Sequence, residues 1–597
     1  MKSKVGSGFV LAVLTVAALV SPTSGWADIP TAERNALIAL YNSTNGDGWI
    51  NRANWKVGSS FNTVGTECTW NGVMCNAAGD AVTRVILNVN NLSGTLPAEL
   101  GNLPALEFLD LSGNSLTGFI PPALGNLSNL LSLALNNNSL IGFIPPELGD
   151  LSALSELNLQ VNLLIGSIPP ELGDATQLWQ LNLSSNLLIE GIPPELGGLS
   201  VLDALILDHN QLSGSIPPEL GDLNQLRTLW LNSNQLTGSI PSELGNGSGY
   251  MNDMRLSNNQ LSGSIPASLG DFPNLQVLDL DRNQLTGSIP PELGGNKPFM
   301  WRFNLSHNQL SGSIPSALYG NGCTPSYIYL DNNQLSGSLP ASLGNMVGGE
   351  LFLHSNQLSG AIPPEWINIW VTDGTGLDLR WNALYSDDPA IIAQLDVDQI
   401  GGDWQSSQTI APENPSISST ADHTVWLDWD AAGSTPGAGG YALYVKETIS
   451  ADWLLNGIVA SKTTVSFPVT GLDPGKQYDF AVATYTDPHL NNRNRVMSDP
   501  SPLVNGMTAS TGCEMPIISI GEIPKWTLGV TEAFDSYLWS TGESTQSIFV
   551  NPPEETSYWV TTTFGGCEES AAVTVSPVIF SDGFENGTTT QWSSVGP

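Results

Sequence analysis

The chain has 597 residues, which is enough for several domains. Its 18 Lys and Arg residues face 56 Asp and Glu residues, a formal net charge of -38. This balance excludes nucleic acid and anionic membrane surfaces as partners held by charge, because both require basic patches, and it favours neutral or cationic partners.

The first 27 residues have the parts of a secretory signal peptide. Lys2 and Lys4 form a short basic region, residues 9–20 are apolar but too few to span a bilayer, and a small-x-small pattern ends at Ala27. We expect cleavage after Ala27 and a secreted or bacterial cell-surface location. No later segment reaches the ~18 apolar residues of a membrane helix, so no membrane span is expected.

Residues 28–81 are predicted to cap the repeats that follow. Thr31 is the expected N-cap of a first helix. Large apolar side chains here would cover the open end of a repetitive core. The candidates are Trp49, Trp55 and Trp70. An Asn-Gly-Asp-Gly stretch could form a turn or bind calcium, and we favour the turn because the spaced carboxylates of a calcium loop are absent.

One pattern dominates residues 82–400 and occurs thirteen times, mostly at intervals of 24 residues. Each copy is anchored by an Asn, at positions 90, 114, 138, 162, 186, 210, 234, 259, 283, 308, 333, 356 and 382. In the copy around Asn210, Leu205 and Leu207 alternate with exposed residues, as a short strand requires. Stacked copies would form a parallel sheet over one leucine core, and the Asn amide would satisfy backbone groups of the turn after the strand.

The residue four positions after the Asn predicts the local backbone. A Gly four residues after the Asn, as at Gly118 and Gly214, permits a sharp turn. Glu190 stands at this position in one copy, so we expect a local distortion there. After the last copy, residues 387–395 begin with Asp and Pro and predict a capping helix, and residues 401–411 are predicted to be an extended linker.

The pattern LxxLxLxxNxLxGxIP resembles the plant-type leucine-rich repeat of receptor-kinase ectodomains and polygalacturonase-inhibiting proteins. The resemblance implies an α/β leucine-rich repeat solenoid whose parallel sheet lies on a concave, ligand-binding face. The segment from Cys68 to Cys75, which contains Trp70 and a Gly-Val pair, resembles the N-terminal cap of such repeats, where the two cysteines pair. No kinase signature follows, so the resemblance does not extend to signalling by this chain.

The remaining segments predict two all-β sandwich domains. Residues 412–510 contain a Pro-Gly turn before a strand that opens on Tyr478, which predicts a tyrosine corner. This segment resembles a fibronectin type III domain with Trp429 in its core. Residues 511–577 resemble an Ig-like or PKD-like β-sandwich. The tail, residues 578–597, resembles a terminal motif of exported proteobacterial proteins and is either a surface tag or a disordered end.

The five cysteines predict disulfides rather than a metal site. Export permits disulfides, and two local pairings are expected, Cys68 with Cys75 and Cys513 with Cys567, which leaves Cys323 over. The cysteine spacing does not suit zinc, which favours four ligands in tight pairs. We expect no metal and no cofactor.

The histidines give no sign of catalysis. His209 and His307 lie four repeats apart, which places them roughly 20 Å from each other at the strand spacing of a sheet. No Ser-His-Asp set, zinc motif or phosphate loop stands out in the sequence. We therefore expect a protein that is not an enzyme.

The concave face of the later repeats is the candidate ligand site. Early copies place small or amide residues there, such as Ala134 and Asn158, whereas later copies place aromatic and charged residues. Trp, Tyr and Arg are the residue types most enriched at interface hot spots, and the leucines already fill the core. The candidate ligand-binding residues are Trp230, Arg255, Asp279, Asp281, Trp301, Arg302, Tyr327, Tyr329, Phe352, His354, Arg380 and Trp381.

These residues predict a secreted or cell-surface, non-enzymatic recognition protein that binds a protein, peptide or glycan. The alternative is a structural adhesin or matrix protein that uses the repeats as a rigid scaffold, and a third hypothesis is an accessory chain of a carbohydrate-active enzyme. A contiguous aromatic patch would favour recognition. Scattered or self-packed aromatic side chains would favour the structural role.

Overall fold

The computed structural model describes residues 28–575, apart from gaps at 247–248, 296, 321, 373–374, 401–403, 422, 433–437, 489–491, 493, 510–517, 521–525, 531–535, 551–555 and 565–566. The predicted signal peptide and the predicted tail lie outside the described residues. The chain divides into a first unit, Met1–Leu202, and a second unit, Asp203–Pro597.

The first unit begins with an α-helix at Thr31–Ser43. The prediction of Thr31 as N-cap is wrong by one residue, because Pro30 supplies the extended backbone before the helix and no side chain caps it. Instead, the helix is tied to the first repeat by Glu33, whose buried carboxylate accepts a hydrogen bond from the Val82 backbone N–H at 2.7 Å. Burial is also the main reason why the pKa of Glu33 is raised.

The predicted aromatic cap is confirmed. The ring of Trp55 lies 5.0 Å from that of Trp49 and 4.7 Å from that of Trp70, and all three side chains are buried. The predicted disulfide between Cys68 and Cys75 is present, with Cα atoms 5.4 Å apart. Since an aromatic cluster and a covalent link close this end, the leucine core of the first unit is shielded from water.

The repeats of the first unit contribute two sets of short strands. Their main-sheet strands are Val82–Ile86, Phe108–Asp110, Ser132–Ala134, Glu156–Asn158 and Gln180–Asn182, preceded by an antiparallel strand at Val73–Cys75. Their side strands are Ser93–Thr95, Ser115–Thr117, Ile141–Gly142, Leu163–Gly166 and Leu187–Leu188. Short 3₁₀ helices such as Pro146–Asp150 and Pro170–Asp174 close each coil. The main strands pair in parallel, for example Leu133 with Leu157, and these central leucines are fully buried.

The backbone at Glu190 keeps the path of the other repeats. Glu190 has φ 66, close to the values of 75 at Gly118 and 81 at Gly142. The predicted distortion is therefore replaced by strain, because a left-handed conformation costs an L-residue roughly 1–2 kcal/mol.

Replacement of Glu190 by Gly should raise the free energy of unfolding by about 0.5–1 kcal/mol, because the strain disappears while some chain entropy is lost. Urea unfolding of the full chain measures this effect. Glu171 is a matched control, since it is an exposed Glu in a 3₁₀ helix of the same unit without a positive φ. Glu171→Gly should destabilise, and the same sign for both variants would contradict the assignment of strain to Glu190.

The second unit also contains repeats with two sets of short strands. Its main-sheet strands are Ala204–Ile206, Thr228–Trp230, Asp253–Arg255, Val277–Asp279, Arg302–Asn304, Tyr327–Tyr329, Glu350–Phe352 and Leu377–Asp378. Its side strands are Ser262–Ser264, Gln284–Ser288, Gln309–Gly312, Gln334–Gly337, Gln357–Ala361 and Ala383–Tyr385. An α-helix at Pro389–Asp398 follows, with Asp388 accepting a capping hydrogen bond from the Ala390 N–H at 2.8 Å, as predicted.

The buried asparagines hydrogen bond as predicted. The side-chain amide of Asn333 donates to the carbonyls of Leu305 at 3.0 Å and Leu330 at 3.1 Å, and its oxygen accepts from the Leu310 N–H at 3.0 Å. Leu305 and Leu310 belong to the preceding coil, so each Asn joins two coils. Most other anchoring asparagines repeat this arrangement, and together they satisfy backbone groups that would otherwise be buried without partners.

The segment predicted to be an extended linker is packed onto the last coil instead. Gln408 is buried, donates to the Leu379 carbonyl at 3.0 Å and accepts from the Leu384 N–H at 3.1 Å. These are the bonds that a fourteenth Asn would make. Trp404 is also fully buried. The physical reason is that the last coil would otherwise leave buried backbone groups unpaired.

A β-sandwich follows the repeats in the second unit. Its strands are Ser416–Thr420, Val425–Asp428, Gly439–Glu447, Leu454–Val459, Ser466–Val469, Gln477–Thr486, Val496–Met497 and Val504–Met507. The predicted tyrosine corner is present, since the Tyr478 hydroxyl accepts a hydrogen bond from the Asp473 N–H at 2.9 Å. Trp429 is buried in the core, with its ring 5.1 Å from that of Tyr441.

The last described segment forms two three-stranded antiparallel sheets. Their strands are Ile518–Ile520, Trp526–Val530, Ser536–Trp539, Ser547–Val550, Thr556–Phe564 and Cys567–Val575. The Ig-like or PKD-like assignment stays a prediction. So does the disulfide between Cys513 and Cys567, because Cys513 and the side chain of Cys567 lie outside the described residues. Cys323 is a free, buried thiol whose pKa burial raises to about 11.

Candidate functional site

The register of the main sheet places candidate residues of successive strands side by side, in rows that run across the strands. Trp230 is paired with Arg255, and Arg255 with Asp279. Tyr329 is paired with Phe352 in the same row further along. Because the side chains of a strand alternate between faces, the first and third residues of each three-residue strand share the open face, while the buried middle residue enters the core.

An unbroken chain of aromatic rings crosses this face. The ring of Trp301 lies 5.8 Å from that of Tyr327, the rings of Tyr327 and Tyr329 lie 6.4 Å apart, and Phe352 lies 5.1 Å from Tyr329. Trp301 is 43% exposed. The patch is therefore contiguous, and its members also pack against one another.

The arginines of the face are engaged by acidic neighbours. Arg255 binds Asp253 through two hydrogen bonds of 2.8 Å. Arg380 binds Asp378 in the same two-pronged manner, at 2.9 and 2.6 Å. The third arginine, Arg302, donates to Asp279 at 2.6 Å. These contacts use one or two of the five N–H donors of each guanidinium and offset the arginine charge with a carboxylate.

Each of these arginines also lies over an aromatic ring. The guanidinium carbon of Arg255 is 4.6 Å from the ring centre of Trp230, and that of Arg302 is 5.3 Å from Tyr329. The guanidinium of Arg380 lies 4.7 Å from the Trp381 ring. Cation–π contacts thus join the ion pairs to aromatic rings in three clusters, one around each of these arginines.

Negative charge predominates on the face. Between Trp230 and Trp381 the carboxylates are Asp253, Asp279, Asp281, Asp331, Glu350 and Asp378, and the guanidiniums are those of Arg255, Arg282, Arg302 and Arg380. Six acids against four bases give a net of -2 with neutral histidines. Asp281 has only a long ion pair, 3.8 Å to Arg282, and among the described residues Asp331 and Glu350 have no Lys or Arg ion pair.

Burial raises the pKa of Asp281 to about 6, with a further increase from the neighbouring Asp279 carboxylate. The folded pKa thus lies above the ordinary 3.8, so the protonated form is favoured on folding. The stabilisation is complete below the unfolded pKa and is lost as the pH rises through about 6.

Replacement of Asp281 by Asn should therefore stabilise the fold above pH 6. We expect a gain of about 3 kcal/mol near pH 7.5 and about 1 kcal/mol near pH 4.5. Urea unfolding at the two pH values measures the difference. An equal effect at both pH values would show that Asp281 does not titrate in this way.

Histidines converge on one acid that the sequence did not single out. The side chains of His307 and His354 both approach the same oxygen of Asp331, at 3.5 Å. Asp331 lies about one repeat from each histidine in the sequence, so the comparison of His307 with the distant His209 did not predict this contact. No group of three or more His, Cys, Asp or Glu side chains among residues with a described position could hold a metal ion.

A loop of the β-sandwich contacts the end of the repeats. The Asn492 amide donates to the carbonyls of Asn356 at 3.1 Å and Trp381 at 2.8 Å, and the Asn494 amide donates to the carbonyl of Asn333. Sequence reasoning missed this contact, because nothing in the loop resembles the repeat. A cleft of about 540 Å³ beside it is lined by amide side chains, including those of Gln309 and Asn494.

Comparison with known families gives the class of each part. The leucine-rich repeat model matches at residues 105–127, 177–199, 202–223, 225–246, 252–272, 274–296, 300–321 and 326–346. The fibronectin type III model matches at residues 410–495. The chain therefore contains a leucine-rich repeat solenoid with a parallel main sheet, followed by a fibronectin type III domain, which confirms both predictions.

Two solved structures illustrate the likeness. The ectodomain of the plant membrane receptor kinase GASSHO1/SCHENGEN3 from Arabidopsis thaliana, in complex with CASPARIAN STRIP INTEGRITY FACTOR 2, is 34% identical with a TM-score of 0.50 over 58% of this chain. The PEPR1-AtPEP1 complex is 27% identical with a TM-score of 0.50 over 64% of this chain. This chain spans 44% and 60% of the lengths of those two chains. Within the described part of the chain, no helix has the length and hydropathy to cross a membrane.

Proposed function

We propose that this chain is an extracellular, non-enzymatic recognition protein that binds a positively charged peptide segment. The proposed site is the main-sheet face from Trp230 to Trp381. The observation that carries the proposal is the contiguous aromatic chain from Trp301 to Phe352, bordered by incompletely compensated carboxylates. Exposed aromatic rings beside carboxylates attract Lys and Arg side chains through cation–π contacts and ion pairing.

The sign of the charge argues for a basic ligand. Arg255, Arg302 and Arg380 are each bound to an Asp, so an acidic ligand would meet arginines whose charge is already offset. A basic side chain would meet Asp281, whose ion pair with Arg282 is long, at 3.8 Å. A basic side chain would also stabilise the ionised form of the buried Asp281 carboxylate. Because Asp281 becomes protonated and neutral as the pH falls through about 6, binding should weaken over that range.

One of the two similar structures is a leucine-rich repeat ectodomain of a plant membrane receptor kinase in complex with a named factor, and this supports an extracellular binding role for the present chain. The structural alternative, a rigid adhesin or matrix scaffold, is favoured by the packing of Tyr329 between Tyr327 and Phe352. In that case the aromatic residues would stabilise the face itself and would select no ligand.

Selection of a random peptide display library on the immobilised full chain distinguishes these functions. We expect enriched peptides to contain Lys or Arg near an aromatic or aliphatic residue. Their binding should weaken in high salt, because charge contributes to it. Selection repeated on a Trp301→Ala/Tyr327→Ala variant should lose the enrichment. Equal enrichment on both proteins would overturn the proposed site.

A further inference from the structure

The first unit exposes an apolar surface on its side strands. Ile141–Gly142, Leu163–Gly166 and Leu187–Leu188 pair in parallel as one three-stranded sheet. We define the apolar side face as the outward residues of this sheet and two adjoining phenylalanines. Its members are Phe119, Ile141, Phe143, Leu163, Ile165, Leu187 and Ile189, which are between 40% and 67% exposed.

The repeats themselves show that the fold does not require these residues. Phe143 lies five residues after its anchoring Asn, and Ile165 three residues after its own. In the copies of the second unit from Asn210 to Asn333 the same positions hold Ser or Thr, as at Ser311 and Ser313 after Asn308. Those coils form side strands as well, at Gln309–Gly312 and its neighbours. A side strand therefore forms with polar side chains at these two repeat positions. The apolar side chains at the same positions in the first unit need another explanation.

Two of the aromatic rings are held against the backbone. The ring of Phe119 occupies the space where a Cβ on Gly142 would stand, and the ring of Phe143 does the same at Gly166. Both glycines have a φ of 81, which favours Gly. The rings are thus fixed on a flat sheet, yet Phe119 and Phe143 remain 65% and 67% exposed. Fixed rings lose little side-chain entropy when another surface covers them.

We propose that the apolar side face is the surface through which two copies of this chain pair. The seven side chains expose roughly 650 Å² of mostly apolar surface, which is at or above the largest patches found on ordinary monomers. A pairing of two such faces would bury roughly 1,300 Å², within the range of specific protein–protein complexes. A two-fold contact needs one self-complementary patch, and a sheet face whose seven members carry no charge, with the exposed Glu190 at its edge, meets that requirement.

The charge of the chain sets the conditions for this pairing. None of the seven residues is ionisable, so the contact itself opposes no charges. The two copies nevertheless carry a formal net charge of -38 each and repel one another. Salt screens that repulsion and strengthens apolar association, so dimerisation should increase with ionic strength. Peptide binding on the second unit should show the opposite dependence on salt.

Sedimentation velocity of the full chain tests the proposal. We expect a monomer–dimer equilibrium whose dimer fraction rises when NaCl is raised from about 50 mM to about 0.5 M. The Phe143→Ser/Ile165→Thr variant gives these positions the residue types that the second unit uses. It should weaken dimerisation at least about tenfold without changing the melting temperature by more than a few degrees. Phe119→Ser is a second variant, expected to act in the same direction.

Ser264→Ala is the matched control, because Ser264 holds in the second unit the repeat position of Phe143. It should leave the dimer unchanged. A wild-type chain that stays monomeric across the salt range would overturn the proposal. So would a dimer that persists in both folded variants, since the pairing would then use another surface. Neither result would bear on peptide selection by the second unit, which is measured separately.

Discussion

Removal of the Trp301 side chain should weaken binding of an enriched basic peptide at least about thirtyfold, or about 2 kcal/mol. Trp301 is the exposed end of the aromatic chain and can be covered by a ligand without rearrangement of the face. Its removal takes away both contact area and a cation–π partner. Isothermal titration of the full chain with the peptide measures the change.

Trp179 provides an unusually close control for this variant. It precedes a main-sheet strand as Trp301 does, its backbone N–H donates to the Ser155 carbonyl at 2.9 Å, and it is 44% exposed. Trp179→Ala should alter the affinity less than twofold, because Trp179 lies outside the proposed face. Equal losses for the two variants would indicate a general effect of losing an exposed tryptophan.

Replacement of Asn333 by Ala should destabilise the repeats by about 2–4 kcal/mol. It would leave the N–H of Leu310 buried without its partner, and it would remove one of two amide donors from the carbonyl of Leu305, which Asn308 still reaches, and from that of Leu330, which Asn356 still reaches. An unsatisfied buried group costs about 1–3 kcal/mol, and each further lost hydrogen bond costs about 0.5–1.5 kcal/mol. The shift of the urea midpoint, followed by tryptophan fluorescence, gives the magnitude.

The neighbouring residue supplies the comparison. Gln334 is exposed, and Gln334→Ala should change stability by no more than about 0.5 kcal/mol. A mild effect of Asn333→Ala would mean that water replaces the lost amide, and that the asparagine ladder contributes less than its geometry suggests.

The coil was predictable because every repeat contains the residues that determine its own strand, turn and core contacts. The leucines and the Asn recur thirteen times, and their roles depend only on neighbouring coils. Gln408 was missed because it performs the role of the Asn from outside the repeated pattern. At Glu190 the sequence predicted a distortion, but Glu190 adopts the positive φ that glycines have at the same position of other repeats.

The location of the candidate face was predictable from the sequence, but the ion pairs between its side chains were not. Alternation places Trp230, Arg255 and Tyr329 on one surface, and this follows from sequence. The same alternation could have revealed Asp253, which lies two residues before Arg255 and binds it. The approach of His307 and His354 to Asp331 was beyond reach, because it depends on side-chain directions across three coils.

Asp281 is expected to affect both the stability of the fold and the affinity for a basic peptide. Its carboxylate is retained at a cost to the fold, and Asp281→Asn should make the chain more stable while weakening its affinity for a basic peptide. A loss of binding in a stabilised protein cannot be attributed to unfolding. If Asp281→Asn bound the peptide as tightly as the wild type, the charge argument would fail while the aromatic site could still stand.

The location of a bound peptide tests the account most directly. An enriched basic peptide that carries a photoactivatable group can be cross-linked to the full chain and the attachment sites found by mass spectrometry. We predict attachment at Trp301, Tyr327 or Tyr329, with loss of the products when unlabelled peptide competes. Competable attachment confined to the fibronectin type III domain or to the first unit would contradict the assignment of the ligand site to this face.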